Sequence, residues 1–176
     1  MANKGLEHLV NTEDANLKEK KKEFDIAHWL GVIGSYVGSA GLAYLTNLST
    51  SRPYLSAALG SSVGDYLGYE AGFTPYWYLK NTDRYKGLKG KVKFAKDWTS
   101  FTVKSLPVEL ATYALSVPAA IAGTYLTGSP VLGTVLSGAA LDIAHWLGLR
   151  TINRGKLKEI AAEKLGYNNF KPAYAH

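Results

Sequence analysis

No cysteine occurs anywhere in the 176 residues. That excludes a disulfide framework, a thiolate metal site and a thiol nucleophile. Histidine is scarce. Of the four, His8, His28, His145 and His176, only two fall in apolar segments, too few for a histidine-rich membrane oxygenase. The chain has no glycine-rich phosphate loop of the Walker type, no Gly-x-Ser-x-Gly elbow and no His-Glu-x-x-His pair. No motif therefore points to catalysis. A secretory signal is also missing: the first 24 residues are polar, and the apolar run that follows is too long for a signal core.

The most informative absence is that of charge over long stretches. Ile26 to Ser51 contains no Asp, Glu, Lys or Arg, and neither does Leu110 to Leu141. A mean hydropathy of -0.08 conceals this, because the charges crowd into 1–25, 80–97 and 150–171. A soluble bundle carries charge along all its outer faces, whereas uncharged runs between charged gaps read as membrane spans. The expected fold is all-α: an integral membrane four-helix bundle of two helical hairpins, with spans at about 26–48, 54–78, 101–126 and 130–149. Residues 1–24 form an N-terminal extension, 79–100 a basic loop and 151–176 a basic tail.

Residues 12–24 read as a helix, with Thr12 as its cap and acids before lysines. It can run directly into the first span. Residues 167–176 read as a loose tail. Asn47–Pro53 and Thr127–Pro130 have the Gly, Pro and Ser content of short turns.

Basic residues set the expected orientation. Five lie in 1–25, seven in the central loop and six in 150–176, whereas the two short turns share only Arg52. The positive-inside rule puts both termini and the central loop in the cytoplasm. Trp29, Trp77, Trp98 and Trp146 fall at those same ends, and Tyr44, Tyr54 and Tyr125 at the opposite ends, as an aromatic belt would. The net charge of +6 then reads as a topology signal with attraction to anionic lipid, in preference to a nucleic-acid footprint.

The heptamer Asp-Ile-Ala-His-Trp-Leu-Gly occurs twice, at 25–31 and 142–148. Each copy places an Asp and a His on one helix face. A looser likeness relates the two hairpins: Pro53 and Pro130 each precede an Asp, Asp65 and Asp142, by twelve residues. Ionisable groups inside spans are costly and mark function by default. Counted from the outer turns at 1.5 Å per residue, Asp65 and Asp142 lie about 18 Å deep, His145 about 22 Å, and His28 and Glu109 about 24 Å. The five form one polar layer, expected to bind an ion, proton or substrate. Glu70 points to the other side of its helix.

Three readings follow. The first is a transport or channel-type protein that uses this layer. The second is a metalloprotein with Asp25, His28, Asp65, Glu109, Asp142 and His145 as ligands, or a haem protein with the two His as axial ligands. The third is a structural subunit of a larger membrane complex, held by polar pairing. Gly60, Gly64, Gly68 and Gly72 recur every four residues as a glycine zipper, and Gly31, Gly34, Ser35, Gly38 and Gly41 give the first span a similar small face. Such a stripe serves either contact within the chain or a homo-oligomer. Pro107 and Pro118 kink the third span, or Pro107 marks its first turn.

Overall fold

The structure is a computed structural model that describes residues 2–164, with side chains described over 15–162. Among the described residues the regular structure is all helical, with no strand. α1 (Ala2–Thr50) is one helix of 49 residues that passes through Thr12 without a break, so Thr12 is not its cap and Asp25 is internal to it. After Ser51 and Arg52 come α2 (Pro53–Leu59), a π-helical turn (Gly60–Gly64) and α3 (Asp65–Lys80). α4 (Gly87–Thr127), α5 (Pro130–Ile152) and α6 (Arg154–Lys164) complete the chain. The basic segment 79–100 is not a loop throughout: only 81–86 leave the helices, and 87–100 extend α4. Pro107 therefore lies deep inside α4 and does not mark its first turn. The expected loose tail at 167–176 lies outside the described residues.

The two short turns have local causes. Pro53 and Pro130 each open a helix, where the missing N–H would have no helical partner. Ser129 caps α5 by accepting from the Leu132 N–H. Gly128 closes α4 at φ 70°, a left-handed conformation that glycine takes without a Cβ clash.

Three helices are long and apolar enough to cross a membrane: α1 over Ala15–Thr50, α4 and α5. The expected second span maps to α2, the π turn and α3, which follow one another without a loop. The extra residue of a π turn interrupts the regular ladder there.

Packing is of two kinds. Toward the Pro53 and Pro130 ends the inside is small and polar, with Ser35, Ser39, Ser56, Ser61, Ser116, Thr124, Thr134 and Ser137 all buried beside Ala43, Ala57 and Ala120. The large apolar residues face outward, and only 11% of the most apolar stretch of α4 and 17% of that of α5 is buried. That distribution suits hydrocarbon surroundings, where helices gain from close approach and hydrogen bonding and not from hiding leucines. Gly34 and Gly38 of α1 lie directly against Gly64, Gly68 and Gly72, so the stripe is used within one chain. Gly41 faces open space and takes no part.

Toward the basic end a conventional core forms. Phe24, Phe73, Trp77, Tyr85, Phe101, Leu149, Leu157 and Ile160 are buried together. Trp77 is only 2% exposed, so it is a core residue and not an interfacial anchor; α6 and the N-terminal half of α1 cover that end. Trp29 is 43% exposed, and Tyr44, Tyr54 and Tyr125 are exposed as expected of belt residues. Lys104, inside the expected third span, is exposed on α4, so the uncharged part of α4 begins only after Glu109.

Tyr85, in the 81–86 turn, stacks on Tyr78 and meets Phe94 edge-on at 5.1 Å. Burial, then the nearby Asp97 carboxylate, push its hydroxyl up to about 12 from an ordinary 10.0. A raised folded-state pKa means the stabilisation is complete below pH 10 and is lost as pH rises from 10 to 12. The loss is on the order of 2 kcal/mol. We expect Tyr85→Phe to flatten the fall of Tm across that window relative to wild type; parallel pH profiles would refute this.

Candidate functional site

The two heptamers meet. α1 and α5 run antiparallel, since Asp25 pairs with Arg150, His28 with His145 and Tyr36 with Asp142. The His28 and His145 rings lie 5.8 Å apart, and Trp29 and Trp146 lie 6.3 Å apart. Identical segments crossing antiparallel necessarily put their Asp residues on opposite sides of the His pair. Asp25 faces the basic end, where it accepts from Trp146 Nε1 at 3.0 Å and pairs with Arg150 at 3.4 Å. Asp142 lies on the inner side and accepts from the Tyr36 hydroxyl. One sequence thus supplies an ion pair at the basic end in one copy and a cavity-lining acid in the other.

Tyr69 joins the His pair. Its ring packs against both imidazoles at 5.6 and 5.8 Å, and its hydroxyl is 2.9 Å from His28 Nδ1. His28 is fully buried, not interfacial. The Nε2 atoms of both His are buried and have no hydrogen-bond partner.

Beside this group is a cavity lined by residues of α1, the π turn, α3, α4 and α5, with about 20 Å³ of room for water centres. A polar site of that size holds a single water. Asp65, Asp142 and His145 all line it. Asp65 accepts from Ser35, from Ser39 at 3.5 Å and from Tyr113 at 3.4 Å. The remaining hydroxyls donate to backbone: Thr112 to Val108, Thr134 to Val131, Ser137 to Thr134, Ser61 to Ala58 and Ser116 to the Ser61 carbonyl. Back-bonding of this kind is how Ser and Thr satisfy their donors within a helix. Every serine and threonine hydroxyl proton in the lining is therefore committed to a protein acceptor. What the cavity offers an occupant is lone pairs, two carboxyls, an imidazole and the Tyr69 hydroxyl.

Of the residues expected in one layer, Asp65, Asp142 and His145 share the cavity, and His28 joins them through Tyr69 and His145. Glu109 does not. It lines a different pocket together with Glu70, on the other side of Tyr69. Sequence reading missed Tyr36, Tyr69 and Tyr113. A signal was present: Tyr69 is four residues after Asp65, Tyr113 four after Glu109 and Tyr36 eight after His28, each on the face of its ionisable neighbour.

The metal and haem readings find little support in this geometry. Among the described residues no three His, Asp or Glu side chains converge as a metal site. Bis-histidine haem ligation needs an open slot between facing imidazoles; here the rings meet at 63° with Tyr69 packed on both.

The fold and site together define an all-helical protein, compatible with a membrane, whose helices enclose a small ionisable cavity. No known protein family, curated protein or solved structure matches the chain.

Proposed function

We propose that this is a four-span membrane protein that moves protons or a small cation through the Asp65–Asp142–His145 cavity, with both termini and the 79–100 segment on the cytoplasmic side. The observation that carries the reading is the committed serine and threonine protons: a cavity whose remaining offer is lone pairs, two carboxyls, an imidazole and the Tyr69 hydroxyl suits a proton carrier or a cation. His28, Tyr69 and His145 extend the ionisable groups toward the basic end, where Asp25 and Arg150 stand at the mouth. The basic ends support the orientation through the positive-inside rule and favour contact with anionic lipid. The pathway lies within one chain, because residues of all the spans already surround the cavity; a homo-oligomer would pack such units side by side.

The test is flux in proteoliposomes carrying an internal pH dye, under an imposed pH gradient with either potassium or sodium. Wild type is expected to exceed protein-free vesicles. Asp65→Asn and Asp142→Asn, at equal reconstitution, are expected to lower the rate at least tenfold. A doubly substituted protein with undiminished flux, or a wild type no faster than empty vesicles under every gradient, would sink the proposal.

A further inference from the structure

Behind Tyr69, on the side away from the cavity, lies the pocket that holds Glu70 and Glu109. Its walls are the rings of Phe24, Phe73, Trp98 and Phe101, and no Lys, Arg or His lines it. It has about 30 Å³ of room for water centres, enough for a small polar head but not for a whole drug-sized molecule.

The polar groups of this pocket have more acceptor oxygens than donors to meet them. Glu70 Oε2 accepts from Trp98 Nε1 at 3.2 Å and from Thr74 at 2.6 Å. Among the described residues nothing donates to Glu70 Oε1 or to either oxygen of Glu109. Thr102 and Ser105 direct their protons to their own helix, at Trp98 and Phe101. Asn153, 1% exposed, donates through Nδ2 to the Leu149 carbonyl at 3.1 Å. A carbonyl opposite can only face the amino group, so the amide orientation is fixed, and Asn153 Oδ1 is left buried in the pocket wall with no partner. An unpaired buried acceptor is costly unless something donates to it.

Two carboxyls, an orphan amide oxygen and aromatic faces together call for a cation that carries N–H donors and tolerates ring contact. A bare metal ion fits poorly, because no three acid or imidazole groups converge among the described residues. Outside the pocket, Val103, Leu106 and Leu110 are each at least half exposed along α4, which gives an apolar tail a surface to lie on. We infer that this pocket binds the ammonium head of an amphipathic organic amine, with its apolar body along α4. The inference stands apart from the transport reading, since it concerns binding and needs no gradient.

The experiment is isothermal titration of the full chain in nanodiscs with benzylammonium, and with benzyl alcohol as the neutral analogue. Saturable one-site binding of benzylammonium is expected, at least tenfold tighter than benzyl alcohol. Glu109→Gln is expected to weaken it at least tenfold, and Arg52→Gln, in the far turn and lining neither pocket, to leave it within twofold. Absence of saturable binding, equal affinity for the alcohol, or unchanged affinity in a folded Glu109→Gln would each overturn the assignment. Should Glu109→Gln fail to fold, the comparison of the two ligands on wild type decides alone.

Discussion

Replacing Gly68 with leucine is expected to abolish the folded protein, while alanine at Gly41, on the same face of α1 but beyond the Gly34–Gly38 contact, is expected to be tolerated. The contrast follows from what a new side chain would meet. A Cβ at Gly68 runs into the Gly34 carbonyl and lies 3.1 Å from the Ser35 Cα, and a Cβ at Gly34 runs into the Gly68 carbonyl. These are backbone atoms, so no rotamer change relieves the overlap; α1 and α3 must separate. Separation also pulls Ser35 away from Asp65 and Tyr69 from His28, so the cavity is lost with the interface. At Gly41 a Cβ meets nothing within 4 Å. Alanine there gains helix propensity, about 0.5–1 kcal/mol relative to glycine. Size-exclusion profiles and thermal melts in detergent would show aggregation for Gly68→Leu and a Tm equal to or slightly above wild type for Gly41→Ala. A monodisperse Gly68→Leu with wild-type Tm would mean that α1 and α3 do not pack through the stripe.

The second large effect is expected at Asp97, outside the apolar region. Asp97 is 3% exposed and binds two cations: Arg84 through Nη2 at 2.8 Å and Lys156 through Nζ at 2.7 Å. The Tyr85 hydroxyl donates to it at 3.3 Å. The carboxylate thus ties the 81–86 turn, α4 and α6 into one unit. Truncation to alanine removes the buried counter-ion of two nearly buried cations and leaves them only the more exposed Glu159, 2.8 Å from Lys156 and 3.9 Å from Arg84. Breaking a buried pair in this way costs about 3–5 kcal/mol, which in a chain of this size lowers Tm by roughly 10 °C. Because the group is shielded from solvent, added salt should recover little of the loss. Limited proteolysis should also cut near Arg154–Lys158 as α6 comes free. A Tm within 2 °C of wild type would show that the network contributes nothing net.

The two packing regimes explain why these effects arise at opposite ends. In the region of apolar exteriors the interior has few large side chains, so stability depends on backbone approach, and a single carbon added where two backbones touch is intolerable. At the basic end a core of rings and buried ions resembles a water-soluble domain, where an unpaired charge is the gravest defect. Trp77 marks the boundary. Its sequence position looked like a headgroup anchor, yet α6 and the start of α1 cover it.

The sequence by itself determined the helical class, the apolar stretches, the two turns, the small-residue faces and the importance of the repeated heptamer. Each depends on composition or on spacing along one axis, and a helix converts spacing into depth at a fixed rise per residue. The position of Asp65, Asp142, His28, His145 and Glu109 along their helices was therefore legible. Which way each one faces was not. That angle depends on how a helix is rotated against its neighbours, and the π turn at Gly60–Gly64 resets the rotation of α3 just before Asp65. Tertiary structure alone turned Glu109 away from the cavity to join Glu70. It likewise decided that the two heptamers cross antiparallel, so that the same seven residues give Asp25 an arginine and Asp142 a tyrosine.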